Sequence, residues 1–161
     1  MPLRSRSLIE GPSVFFLTTT TYNRRRFPEY PRSLRVIEII MFQTIREMKI
    51  SLFGYVIMPT HIHMIAGCQG GGRGISKFVH SLKGRVRVNI KPKGPLWQSR
   101  FDDLLLRTEK QFEIKLNYVH YNPVKDRLVE RPEDWPYSSY VDWCERDRSR
   151  GILFDFESFF S

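Results

Sequence analysis

The sequence predicts an α+β fold, a single domain in which an antiparallel sheet of four or five strands carries helices mainly on one face. Runs rich in β-branched and aromatic residues alternate with stretches in which apolar residues recur at helical spacing. Turn and breaker residues separate the two kinds of segment. With 161 residues, 41% of them hydrophobic, the chain can bury one core. We expect a domain over 1–161, with a core of about 14–125 and a C-terminal wrap over 126–161.

The first half of the chain contains three predicted strands and one predicted helix. Residues 14–22 (VFFLTTTTY) have the composition of a strand. Apolar residues within 34–48 recur at i, i+3 and i+7, which predicts an amphipathic helix that starts near Pro31. Two strand-like runs follow at 51–58 and 61–67. The Pro-Thr pair between them fits a tight turn or a kink in one long bent strand.

The second half begins with a glycine cluster over 67–74, which predicts a flexible connector and lacks the Lys-Ser or Lys-Thr of a phosphate-binding loop. Residues 75–89 have the spacing of a basic amphipathic helix. A strand is predicted over 97–106. Thr108 and Gln111 then form a capping box for a further helix, which the following proline at 123 is expected to end near residue 122.

The charge of the chain is positive and unevenly distributed. The formal net charge is +9; residues 1–101 hold 17 basic and 4 acidic residues, and the rest hold 9 and 13. Between Arg73 and Arg100 there are eight basic residues and no acidic one, so a polyanion such as nucleic acid is a natural partner; a solvated, solubilising face is the alternative. The candidate nucleic-acid contacts are Arg24, Arg25, Arg26, Lys77, Lys83, Arg85, Arg87, Lys91, Lys93 and Arg100.

Cysteine content and hydropathy indicate the compartment. The chain has two cysteines, Cys68 and Cys144, which favours a reducing environment over a disulfide scaffold. Its apolar run at 14–17 is too short for a signal sequence or a membrane span. We therefore expect a cytoplasmic protein with no membrane partner.

The sharpest local feature is His61-Ile62-His63. On a strand, residues i and i+2 point to the same face, so both imidazoles could reach one divalent cation. A third ligand would have to come from elsewhere. A His-x-His pair of this kind can also be incidental.

A second feature lies near the end of the last predicted helix. Tyr118 and Asn122 are four residues apart, so they share one helical face, and a nucleophilic hydroxyl and an oxygen ligand could serve the same site. The alternative is that Tyr118 is a core or interface aromatic and Asn122 caps the helix. His120 would point away from Tyr118, and we assign it no role.

Several segments in this order resemble one family of proteins. They are MPTHIHMI at 58–65, LWQSRFDD at 96–103, LRTE at 106–109, NYVHYNPVK at 117–125 and the tail RPEDWPYSSY at 131–140. The sequence is similar to the small single-tyrosine HUH transposases, and within them to the REP-associated tyrosine transposases. The matches span roughly residues 14–140, most of the chain.

The resemblance implies a ferredoxin/RRM-like HUH fold and an enzyme of DNA transposition and recombination. Such an enzyme is a metal-dependent, site-specific single-strand DNA endonuclease and strand transferase that acts through a 5′-phosphotyrosine intermediate on hairpin-flanked or REP-like DNA. His61 and His63 match the metal ligands, usually of magnesium or manganese, and Tyr118 matches the nucleophile. Asn122 stands where Gln or Asn can complete the metal shell, and Thr60 stands where the family often has Asn.

The resemblance allows a monomer or a homodimer, in which Tyr118 would serve its own or the partner's histidines. One alternative function is a non-catalytic hairpin DNA-binding protein derived from such an enzyme. A weaker one is a zinc hydrolase built on the histidine pair, which would need a third strong ligand and a water-activating acid.

Overall fold

The structure, a computed structural model, describes residues 6–161. It contains four strands, three long helices and one short helix, joined by turns and three short 3₁₀ segments in the part described. Their bounds are β1 Ser13–Thr20, α1 Arg32–Met48, β2 Ser51–Ile57, β3 His61–Cys68, α2 Gly71–Ile90, β4 Asp102–Leu106, α3 Glu109–Lys125 and α4 Tyr140–Glu145.

The four strands form one sheet in the order β2-β3-β1-β4, and every neighbouring pair is antiparallel. With α1 between β1 and β2, and α2 between β3 and β4, this is the βαββαβ arrangement of ferredoxin-like folds. The predicted α+β class with a four-stranded antiparallel sheet is therefore confirmed. The two histidines lie on β3, a central strand of the sheet.

The two faces of the sheet are covered differently. Helices α1 and α2 pack against each other and against one face; Tyr55, for example, reaches Glu38 of α1. The opposite face carries the histidines and is partly covered by α3, since Tyr118 contacts His63 and a Cβ on Gly54 would meet Leu116. Side-chain alternation along β3 thus divides the molecule into a helix-covered face and a histidine face.

The glycine-rich segment predicted as a flexible connector over 67–74 is instead the end of β3, a two-residue turn and the first turn of α2. Gly71 opens the helix with φ +68°, a conformation that glycine adopts without strain. A side chain on Gly72 would collide with the backbone carbonyl of Arg6. The prediction was wrong because these glycines allow the chain before β1 to pack closely on α2, a contact between residues distant in sequence.

Two further boundaries differ from the predictions. Strand β4 begins at Asp102 and not at Trp97, whose indole nitrogen donates to the Lys83 carbonyl oxygen at 3.0 Å. Helix α3 continues through Pro123 to Lys125, where Asp126 N–H donates to the Asn122 carbonyl at 3.0 Å. Pro123 is buried in the last turn, where packing offsets the loss of one backbone hydrogen bond. Within the described range, every helix is too short or too polar to span a bilayer.

Candidate active site

The register of three strands brings polar side chains into a row on the histidine face. His63 pairs with Thr18 across β1, and Thr18 pairs with Asp102 across β4. His61 pairs in the same way with Thr20. Directly opposed residues in antiparallel strands point to the same face, so these groups line one pocket of about 390 Å³. The histidines are 7% and 5% exposed, and their ring centroids are 4.7 Å apart.

Threonine hydroxyls orient both imidazole rings. The Thr18 hydroxyl oxygen lies 2.8 Å from Nδ1 of His63, and the Thr60 hydroxyl oxygen lies 3.0 Å from Nδ1 of His61. Occupation of Nδ1 leaves Nε2 of each ring as the nitrogen available to a ligand. Nε2 of His63 is buried and has no hydrogen-bond partner in the described part of the chain. With the proton on Nδ1, donated to the threonine hydroxyl, Nε2 of each ring carries the lone pair that a ligand needs.

The surroundings keep the imidazoles neutral. Burial is the main cause that lowers the pKa of His63 to about 3, and the neighbouring His61, Lys115 and Arg24 contribute to the same shift. Burial, assisted by Arg24, also lowers the pKa of His61. A neutral imidazole is the form that binds a metal ion, so both rings are in the ligand state near neutral pH.

Helix α3 places Tyr118 beside the histidines of the same chain. The predicted capping box of Thr108 and Gln111 is present and fixes the start of this helix. The Tyr118 ring centroid is 5.3 Å from that of His63 and 5.9 Å from that of Phe16, which itself stacks on His63. Tyr118 is 38% exposed, so its ring packs on the histidine and still faces solvent.

Asn122 lies one helical turn after Tyr118 and is buried. Its side chain lies near enough to His61 to favour the protonated imidazole, yet Oδ1 makes no well-formed hydrogen bond to any described residue. Residues 6–161 contain no group of three or more His, Cys, Asp or Glu side chains arranged to bind a metal. The two unpartnered acceptors, His63 Nε2 and Asn122 Oδ1, nevertheless fit a site made of two imidazoles and an amide oxygen.

Two lysines beside Tyr118 were not identified from the sequence. Lys115 Nζ lies 5.1 Å from the Phe16 ring centroid and 5.5 Å from that of Tyr118, and Lys125 Nζ lies 5.3 Å from Tyr118. Their spacing from Tyr118, three residues before and seven after, places them on its helical face and could have indicated them. Lys115 and Arg24 line the histidine pocket, together with one carboxylate, Asp102, and Lys125 adds a positive charge beside Tyr118.

The predicted nucleic-acid contacts are divided between several surfaces. Arg24 alone of the ten lines the histidine pocket, while Arg25, Arg26 and Lys93 line a small groove near Pro95.

Three predicted contacts on α2 have partners within the chain. The Lys83 ammonium donates to the Gln98 carbonyl at 2.9 Å, and the Arg87 guanidinium donates to the Gly94 carbonyl at 3.0 Å. Arg85 pairs with Glu47 at 2.7 Å. These cations therefore also help to hold the loop after α2 and the α1–α2 contact.

His120 points away from the pocket and joins α3 to the C-terminal segment. Its Nε2 lies 2.8 Å from the Ser139 hydroxyl, and burial lowers the pKa of His120 to about 4. The same hydroxyl accepts a hydrogen bond from Tyr55 N–H at 2.9 Å, and Ser139 N–H donates to the Tyr55 carbonyl at 3.0 Å. Ser139 thus links α3, β2 and the tail, and it acts on the site only through the placement of α3.

Comparisons with known proteins agree with this arrangement. The chain is 26% identical over 147 residues to the REP-associated tyrosine transposase of Escherichia coli, covering 91% of this chain and 85% of that protein. A relative from Haemophilus influenzae that carries the same family name is 30% identical over 112 residues, 61% of this chain and 63% of its own length. No family model matches the chain.

Solved structures give the same result. A REP-associated tyrosine transposase bound to a REP hairpin superposes with a TM-score of 0.72 at 26% identity, covering 90% of this chain and 84% of that one. A structure from Deinococcus radiodurans has a TM-score of 0.51 at 19% identity, covering 65% of this chain and 86% of that one, a likeness of fold alone.

Fold and sequence together make the chain a homologue of tyrosine transposases, enzymes that act on DNA. Within that class, the resemblance to the REP-associated tyrosine transposases is confirmed in both sequence and structure.

Proposed function

We propose that the chain is a transposase, a metal-dependent, site-specific single-strand DNA endonuclease and strand transferase that acts on hairpin-flanked or REP-like DNA. The observation that carries the proposal is the position of the partly exposed Tyr118 phenol against the buried, neutral His63. The structural neighbour bound to a REP hairpin supports hairpin DNA as the partner. The proposal concerns the histidine face of a single chain, since Tyr118 and the histidines meet within it.

The proposed reaction is a transesterification at Tyr118. The phenolic oxygen attacks the scissile phosphate and forms an O–P bond, while the bond from phosphorus to the 3′-oxygen breaks. The phenol gives up its proton and the departing 3′-oxygen takes one up, which leaves a free 3′-OH and a 5′-phosphotyrosine. Attack on this ester by another 3′-OH rejoins the strand and releases Tyr118, so the bond energy is conserved for transfer.

His61, His63 and Asn122 would hold the divalent cation, magnesium or manganese. When bound, such a cation neutralises charge on the phosphate and polarises it toward attack. Thr18 and Thr60 fix the two rings so that Nε2 faces the pocket. Arg24, Lys115 and Lys125 add positive charge around Tyr118 and favour binding of a phosphodiester there.

The test is trapping of a covalent complex on a suicide oligonucleotide that carries a family-type hairpin. With magnesium, we expect wild type to form a denaturant-resistant protein–DNA adduct and Tyr118→Phe to form none. Tyr121→Phe is the matched control, because Tyr121 is exposed on the same helix and should keep the adduct yield. His63→Ala and removal of the metal should each abolish the adduct.

Adduct formation by Tyr118→Phe, or by wild type without any divalent cation, would contradict these roles. Binding of the hairpin that weakens with salt, with no adduct under any divalent cation, would support the non-catalytic alternative.

A further inference from the structure

A second, larger cavity lies between α1 and the C-terminal segment. It has a volume of about 700 Å³, within the range of pockets that hold small molecules or nucleotides. Its apolar lining comes from α1 and from the chain that enters β2, through Phe42, Ile45, Ile50 and Leu52. It shares no lining residue with the histidine pocket, so the proposed nicking chemistry does not account for it.

The rim of this cavity is strongly basic. It has five basic residues and one acidic residue, Glu38. That carboxylate is already engaged, because it accepts from Arg35 at 2.8 Å and from the Tyr55 hydroxyl at 2.6 Å. Three rim cations have no acidic partner within residues 6–161, namely Arg46, Lys49 and Arg148. The rim therefore has uncompensated positive charge and favours an anionic ligand.

The fifth rim cation, Arg150, is held in place over an aromatic ring. Its guanidinium carbon lies 5.1 Å from the Phe42 ring centroid, and its Nε donates to Asp142 at 3.1 Å. The turn that carries it is closed by a Gly151 N–H bond to the Arg148 carbonyl at 2.9 Å. A fixed guanidinium plane on an aromatic ring, beside an apolar floor, is a surface on which a planar base can stack.

We propose that this cavity binds an unpaired nucleotide of single-stranded DNA. The base lies against Phe42 and Arg150, and the adjoining phosphates contact Arg46, Lys49 and Arg148. A nucleotide has a base that can fill the apolar floor and a phosphate that can contact the basic rim. An acidic peptide or polymer offers only negative charge and would leave the floor unfilled, so the cavity favours a nucleotide. The inference concerns a second contact with DNA, separate from Tyr118, and stands whether or not Tyr118 cuts.

The test measures binding of a fluorescent 12-nucleotide oligo-dT, which has no hairpin, by anisotropy. All proteins carry Tyr118→Phe, so the result is independent of cleavage. The double variant Arg46→Glu/Lys49→Glu removes two rim cations, and Arg107→Glu/Lys110→Glu makes the same charge change on exposed residues at the start of α3. We expect an affinity loss of about tenfold or more in the first and about twofold in the second at equal salt.

The salt dependence gives an independent readout of the same contacts. Loss of two phosphate contacts on single-stranded DNA should reduce the slope of log affinity against log salt by about 1.4 in Arg46→Glu/Lys49→Glu. The control pair should keep the slope of its parent. Equal affinity losses in the two pairs, with both thermal melts unchanged, would overturn the proposal.

A third comparison tests the base. The parent protein should bind oligo-dT at least about fivefold more tightly than an abasic 12-mer of equal charge, and Phe42→Leu should reduce this preference. Equal binding of the two oligonucleotides would refute the stacking role of the cavity. Competition by polyglutamate as effective as that by oligo-dT would assign the rim to acidic polymers in general and overturn the nucleotide assignment.

Discussion

Lys115 is the most important residue of the site that the sequence analysis did not identify. Its ammonium lies 5.5 Å from the Tyr118 ring centroid and 5.1 Å from that of Phe16, and it contributes to the lowered pKa of His63. In the proposed reaction, a cation at this position would stabilise negative charge that develops on the phenolic oxygen and on the phosphate. Lysine is thus expected to act in the cleavage step itself.

We predict that Lys115→Met slows adduct formation about tenfold or more under single-turnover conditions, because one positive charge next to the reacting groups is lost. Lys115→Arg should keep most of the rate. Lys110→Met, an exposed lysine five residues earlier on α3, is the control and should react like wild type. An unchanged rate for Lys115→Met would exclude this lysine from the cleavage step.

Among single residues, the sequence allowed prediction of those site residues that are brought together by local spacing along one strand or one helix. His61 and His63 follow from strand alternation, and Tyr118 and Asn122 follow from helical spacing. Thr18 and Asp102 did not, because they reach the pocket through the registers of β1 with β3 and of β4 with β1. Register depends on contacts between distant segments, and the sequence pattern alone leaves it open.

Helix α3 is the element on which the proposed chemistry depends, and buried polar contacts hold it to the sheet. The His120–Ser139 contact joins it to β2, and Gly54 lets Leu116 approach the β2 backbone. Because His120 is buried and neutral, its protonation opposes folding. The attachment of α3 is therefore sensitive to acid.

We predict that His120 makes the protein less stable as pH falls. Its folded-state pKa of about 4 lies below the usual 6.5, so its full contribution is present above pH 6.5 and is lost as pH falls toward 4. The loss approaches roughly 3 kcal/mol below pH 4. Urea unfolding at several pH values should show that the free energy of unfolding depends less on pH in His120→Gln than in wild type. His61 and His63, whose pKa values are also lowered, contribute equally to the pH dependence of both proteins. Equal pH slopes would contradict the prediction.

At the element scale, type and order were predictable, but some boundaries were not. Apolar periodicity predicted α1, and the capping box predicted the start of α3. Propensity misled at Gly72, where helix formation is favoured by close contact with the chain before β1, and at Pro123, whose burial lets α3 continue. In both places tertiary packing outweighs a weak local preference.

The whole molecule is closed by a C-terminal segment that crosses the edge at β2 and reaches α1. Arg150 joins Asp142 of α4 to Glu38 of α1, and Leu153 N–H donates to the Leu52 carbonyl at 2.9 Å. Glu38 and Asp142 are both buried; Arg150 is the cation paired with Asp142 in the described chain, and it shares Glu38 with Arg35. This residue connects parts of the chain more than 100 positions apart.

We predict that Arg150→Met lowers the free energy of unfolding by about 1–3 kcal/mol, because two buried carboxylates lose their shared partner. The matched control is Arg148→Met, an exposed arginine with no acidic partner in the described chain, which should change stability by less than about 0.5 kcal/mol. Urea denaturation followed by circular dichroism measures both. Similar small losses in the two variants would show that the Arg150 contacts do not stabilise the closed arrangement.

The division of the molecule into two faces has a consequence for the path of a bound DNA. Tyr118 and the histidines lie on one side of the sheet, whereas α2, with many of the basic residues, and the second cavity lie on the other. A straight duplex cannot touch both sides. If both proposed contacts are made by one DNA molecule, that DNA must turn around an edge of the sheet, and we then expect strands that bend sharply or branch to bind better than strands that run straight.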